Sequence, residues 1–230
     1  MHVPDGYFDA PTAVATTIAA TAIVGQAFTR ARREHHQQHA AGMIGLVTTF
    51  VFAAQMVNFA VGSGTSGHLI GAALAAVLLG PWAAVLSITL VLTVQAVLFA
   101  DGGITALGAN VVLMAGVGVA VGWGVFRLAR AVLPRRPASV PVAGALGALV
   151  SVPACALAFA ALYAIGGTHD VALPDLVAAM VGWHSLIGLG EALVTGAVLA
   201  GVMALRPDLV RGADDLAPAA RDRSAEQVVA

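Results

Sequence analysis

Seven apolar runs, at 11–28, 42–60, 68–79, 82–99, 107–128, 140–165 and 177–205, fill most of this chain. Most have about the twenty residues that a helix needs to cross a hydrocarbon core of about 30 Å. Together with 59% hydrophobic and 10% charged residues and a mean hydropathy of +0.90, they exclude a soluble domain and predict an all-α, polytopic transmembrane bundle. The run at 68–79 is the exception, because as a helix it would rise only about 18 Å at 1.5 Å per residue.

The basic residues settle whether that run counts separately. Lysine is absent, and the eleven basic residues are all Arg, confined to 30–33, 127–136 and 206–223. Arginine-rich loops stay on the cytoplasmic side, so an even number of crossings must separate the first two clusters. Keeping 68–79 apart from 82–99 across Gly80-Pro81 gives four. The expected topology has about seven membrane segments, one of them short, with the N-terminus outside and the C-terminus inside. Residues 1–205 form the membrane domain, and the polar stretch 206–230 reads as a disordered cytoplasmic tail. The outer loops at 1–10, 61–67, 100–106 and 166–176 carry Asp5, Asp9, Asp101, Asp170 and Asp175 without an arginine, a face suited to a cation.

The opening MHVPDG has no basic n-region, and Pro4, Asp5 and Gly6 stand where an apolar core would begin, so no cleavable signal peptide is expected and Met1 should remain. The single cysteine, Cys155, lies in an apolar run and reads as a small buried hydrophobe. The spans are rich in glycine and alanine, as close helix packing in lipid requires, and Gly188, Gly190 and Gly196 belong to that pattern.

Polar groups inside such a bundle mark a site or a pathway. They are Gln55, Asn58, His68, Gln95, Asn110, His184 and Glu191. His184 and Glu191 are seven residues apart on one helix face, about 10 Å along the axis. His35, His36 and His39 sit beside three arginines and read as a solvated loop.

Met1-His2 has its own chemistry. A free amine, the amide nitrogen of residue 2 and the Nδ1 of His2 can close two chelate rings in one plane. A fourth nitrogen completes the square-planar set expected for Ni(II) or Cu(II). His68 is the candidate fourth donor, since it follows the outer loop GSGTSG and about nine extended residues reach on the order of 30 Å. Such ligands must lose protons to bind, so protonation should favour release.

Four ordered stretches, MHVPDG, GSGTSGHLIGAALAAVLLGPW, FADGGITALGANV and HSLIGLGEALVTG, together resemble the CbiM/NikM family over residues 1–205. These are the substrate-binding membrane components of energy-coupling-factor transporters for cobalt and nickel. The resemblance implies an N-terminal segment that plugs a central cavity and binds the metal through Met1, His2 and His68. It also implies a transmembrane coupling component, a pair of cytoplasmic ATPases and a small accessory membrane subunit. No hydrophobic span follows residue 205, so the accessory subunit is not expected to be fused here. Asp5 would pin the segment, and Asp101, Asn110, His184 and Glu191 are candidates to support the ligand histidines.

The residues leave two rivals: an intramembrane serine protease using Ser66 of Gly64-Thr65-Ser66-Gly67 with His184, and a passive channel lined by Asn110, His184 and Glu191. A chain without lysine has no P-loop, so any ATP hydrolysis belongs to other subunits. The expected substrate is Co2+ or Ni2+, with no cofactor and no nucleic acid, and the expected place is the plasma membrane of a prokaryote.

Overall fold

The computed structural model describes residues 1–34, 40–62 and 65–216. The seven apolar runs become α1 (Ala10–Glu34), α2 (Ala40–Gln55), α3 (Ala72–Leu79), α4 (Pro81–Leu98), the pair α5 (Leu107–Asn110) and α6 (Val119–Val132), α7 (Ser139–Gly166) and α8 (Leu173–Leu205). α5 and α6 are joined by a π-helical stretch over Val111–Gly118. Five of these segments are long and apolar enough to cross a membrane: α1, α4, α5 through α6, α7 and α8.

The short run resolves into two parts. Residues 68–71 are not helical, and α3 is an eight-residue helix whose Ala72 through Leu78 are buried on all sides. Packed within protein, α3 never has to match the lipid thickness. Small residues let it enter. A Cβ on Gly118 would stand 3.1 Å from that of Ala72, and one on Gly122 would stand 2.9 Å from that of Ala73. α7 and α8 form the long antiparallel pair behind it, and Gly188 brings α8 against the Leu149 carbonyl, which a Cβ would meet at 3.0 Å. Gly196 also faces α7, but Gly190 faces open space, so packing does not account for it.

Nonhelical backbone deep in a bundle needs hydrogen-bond partners from the protein. Here the buried polar side chains supply them. Glu191 accepts from the Ile70 and Gly71 amides at 2.6 and 2.9 Å, and Gln55 donates to the Ile70 carbonyl at 2.8 Å. Gly71 takes φ 74°, and a side chain there would also strike Val51.

Two features depart from the sequence expectations. The run 42–60 leaves its helix at Gln55, and two antiparallel strands pair beyond it, β1 (Phe59–Gly62) and β2 (Thr65–Gly67). The stretch after Arg206, expected to be a disordered tail, begins with two 3-10 turns at Pro207–Leu209 and Arg211–Leu216, with Val210 and Ala213 buried against the bundle. Cys155 is buried as expected, and its thiol also donates to the Leu113 carbonyl at 3.2 Å. His35, His36, His39 and residues 217–230 lie outside the described residues.

The loops sort to two ends. Residues 1–9 touch Ser66, residues 101–105 and residues 166–168, so the four outer loops, three of them acidic, share one end. At the other, Arg30 lies over Trp82, and Trp82 lines a cavity with Arg127, Arg130 and Arg211. The arginine clusters therefore meet at the end opposite the N-terminus, as the count of crossings requires.

Candidate metal site

The N-terminal segment runs into the bundle from the acidic end, with Met1, His2 and Val3 buried. Asn110, at the end of α5, recognises its backbone at both faces of residue 3. Its Oδ1 accepts from the Val3 amide at 2.8 Å, and its Nδ2 donates to the Val3 carbonyl at 3.1 Å. The Gly103 amide donates to the same carbonyl at 2.8 Å. Farther out, Asp5 Oδ1 accepts from the Thr105 amide at 2.7 Å and its hydroxyl at 2.5 Å. Those bonds hold the Asp5 carboxyl below the usual carboxylate range. Phe8 bridges to Gly167, and Tyr7 stacks on His169 with centroids 4.6 Å apart.

This threading delivers Met1 and His2 to His68. The Met1 amine donates to the Ser66 carbonyl and, at 3.2 Å, to the Ser66 hydroxyl. Burial pushes this amine down to about 4, against the opposing pull of the Asp101 carboxylate. The amine is therefore neutral at neutral pH, with a lone pair that can bind a cation. The His2 and His68 rings stack with centroids 4.3 Å apart and planes 18° from parallel. His2 Nδ1 lies 3.0 Å from Asp101 Oδ1, and its Nε2 lies 3.1 Å from Gln95 Oε1. Asn58 donates to the other Asp101 oxygen at 3.0 Å. Partial burial raises the Asp101 carboxyl, but His2 and Asn58 outweigh it and leave it below its ordinary value.

His68 is fully buried, with Nδ1 directed to the Leu69 carbonyl at 2.9 Å. That bond puts the proton on Nδ1 and leaves Nε2 as a lone pair, and Nε2 has no hydrogen-bond partner among the described residues. His184 repeats the pattern on α8, with Nδ1 at 2.7 Å from the Met180 carbonyl and a buried, unpartnered Nε2. Among the described residues, no group of three or more His, Cys, Asp or Glu side chains is placed to hold a metal. The donors gathered here are instead an amine and imidazoles.

The expected residues thus divide by task. Met1, His2 and His68 are brought together, Asp101 holds His2, and Asn110 and Asp5 fix the segment. Glu191 serves the His68 loop through the Ile70 and Gly71 amides rather than touching a ring. Gln95, which the sequence marks only as a polar residue in an apolar helix, is a direct partner of His2. Ser66 meets the Met1 amine, and Asn110 and Glu191 are spent on backbone groups, so neither the protease nor the channel arrangement is assembled.

Comparison with known proteins identifies the family of the chain. Residues 2–209 match the CbiM family, described as a cobalt uptake substrate-specific transmembrane region. A putative fused nickel transport protein NikMN of Archaeoglobus fulgidus is 40% identical over 210 residues, covering 91% of this chain and 68% of that protein. The cobalt transport protein CbiM of Sorangium cellulosum is 35% identical over 184 residues, 78% of this chain and 80% of its own. The crystal structure of a truncated transition metal transporter superposes with a TM-score of 0.77 at 31% identity, over 89% of this chain and 99% of that one.

Proposed function

The chain belongs to the CbiM family of multi-pass membrane transport proteins, and from that premise we propose that it captures Co2+ or Ni2+ through the Met1 amine, His2 and His68. In this reading it is the substrate-binding component of an energy-coupling-factor transporter in a prokaryotic plasma membrane. A transmembrane coupling component and an ATPase pair drive it, together with an accessory membrane subunit. The observation that carries the site is the buried N-terminus, which puts a neutral amine and His2 beside the unpartnered Nε2 of His68.

Imidazole lone pairs lie in the ring plane, so two stacked rings cannot both point at one ion. Capture therefore requires the His2 ring to turn, exchanging Asp101 for the metal at Nδ1 and closing the chelate with the amine. Asp101 and Gln95 mark where the ring starts. Burial of the amine favours its neutral form, which is the form that binds a metal.

The test compares purified protein bearing its native Met1 with a form that retains an N-terminal extension, reading metal stoichiometry and the visible spectrum. One Co(II) or Ni(II) per native chain, a low-spin band with nickel, and none in the extended form are expected. Equal loading of both forms would remove the amine and His2 from the site.

A further inference from the structure

The opposite end of the bundle holds a second polar cavity that the metal site does not use. The start of α4, the last turns of α6 and the 3-10 turn Arg211–Leu216 enclose about 600 Å³, lined by Arg127, Arg130, Arg135, Arg211, Trp82 and Trp123 among others. Arg130 is its interior cation, with a side chain only 7% exposed. Its Nη2 donates to Asp215 at 2.8 Å, but its Nη1 is buried and has no acceptor among the described residues. A buried guanidinium donor without an acceptor is costly, so the site lacks one anionic group for its hydrogen bonding to be complete.

The remaining charges point the same way. Two aspartates line the cavity, and each is already paired, Asp215 with Arg130 and Asp214 with Arg211. Arg127 lies over the Trp123 ring at 5.9 Å, and among the described residues neither it nor Arg135 has a carboxylate partner. Four arginines thus face two aspartates. A planar guanidinium matches a phosphate in a bidentate fork, which explains arginine here better than a generic need for positive charge. On the same turns of α6, Leu128 and Val132 are 68% and 78% exposed. An apolar surface therefore adjoins the basic pocket, as basic pockets between helices that take lipid headgroups require.

We propose that this cavity binds a phosphate ester, either the headgroup of an anionic phospholipid or a free phosphate from the aqueous phase. Arg130 supplies the buried donor, and Arg127 and Arg135 supply the outer charge. The site needs no metal at the other end, so it stands or falls apart from the transport reading.

The experiment uses the full chain in neutral detergent. Native mass spectrometry reads retention of added phosphatidylglycerol against phosphatidylcholine, with inorganic pyrophosphate as the soluble probe. Phosphatidylglycerol should be retained preferentially, and Arg135→Gln and Arg127→Gln should each weaken it about fivefold, while metal loading stays at the wild-type level. Arg130→Gln should abolish the preference; because that residue is buried, the two outer variants keep the test decisive if it fails to fold. Retention that pyrophosphate does not displace identifies the lipid headgroup, and binding of pyrophosphate by lipid-free protein identifies a soluble phosphate. Equal retention of both lipids with no pyrophosphate binding overturns the proposal. So does a phosphatidylglycerol preference that survives in both outer variants.

Discussion

The N-terminal segment and the turns after α8 lie against the same bundle, but they are held by different chemistry. Residues 1–3 are buried and gripped through their backbone, with Asn110 and Gly103 bonding Val3 inside the protein. Residues 207–216 bury only Val210 and Ala213. Among the ion pairs of the described residues, Arg130–Asp215 ties this segment to the bundle, while Arg206–Asp208 and Arg211–Asp214 are local, and the three carboxylates are about half exposed. Bonds to buried backbone groups fix position to a fraction of an ångström and resist salt, whereas exposed ion pairs contribute about 0–1 kcal/mol and are screened. A segment that must present an amine and an imidazole to an ion needs the first kind of attachment. A segment that closes one wall of a cavity can use the second.

The largest test of that contrast is Gly103→Ala. A Cβ there would stand 2.7 Å from the Pro4 carbonyl carbon and closer still to the Asp5 amide, both backbone atoms that cannot give way. The segment should be expelled and bound metal lost almost entirely, while helix content by circular dichroism is kept. Metal retained at wild-type stoichiometry would show that the segment tolerates a different path. Asn110→Ala comes next: it removes both side-chain bonds to Val3 without a clash, and isothermal titration should show metal affinity reduced about ten- to a hundredfold, the range for lost supporting contacts. The C-terminal segment should respond to neither change. Instead, 1 M salt or Arg211→Ala should speed amide exchange of residues 211–216 and cost at most about 1 kcal/mol. Exchange at residues 1–3 should stay unchanged.

The contrast also explains what the sequence could and could not reveal. The helices were legible because lipid demands long apolar runs and the arginines count the crossings. His68, Asn110 and Glu191 were legible as a set because each is expensive in an apolar interior and so must have a task, and His2 because it follows a free amine. Which task was not legible. Glu191 was a candidate for a ligand ring, yet it satisfies two amides that exist only because residues 68–71 leave the helix. That break depends on Gly71 at positive φ and on the depth at which α3 starts, neither of which periodicity records. Gln95 was visible as a polar residue, but its pairing with His2 depends on how far the N-terminal segment threads. The pairing of β1 with β2 was hidden because Gly, Ser and Thr read as loop, and the ordered turns after Arg206 were hidden because three short ion pairs in a polar stretch look like solvated charge.

The smallest expected effect lies at the outer edge of the N-terminal segment and turns on pH. Asp5 is exposed, and its carboxylate is stabilised by the amide and hydroxyl of Thr105, which lowers its pKa in the folded protein. A group whose folded pKa is depressed contributes stability above its unfolded pKa, about 3.9 for Asp, and loses it as the pH falls through the folded value. The anchor at Asp5 should therefore be constant from pH 8 to 5 and weaken only below about pH 4. Because the site is open to water, the change is modest and concerns the outer residues, not the buried Val3 contacts. Amide exchange at Gly6 and Thr105, followed from pH 5 to 3 with correction for intrinsic rates, should show opening in the native protein. In Asp5→Asn those amides should be equally open throughout, with metal affinity within a few fold of wild type. If Asp5→Asn lost its metal, the segment would be held from its exposed edge, and the distinction between its buried grip and the screened grip of the C-terminal turns would fail.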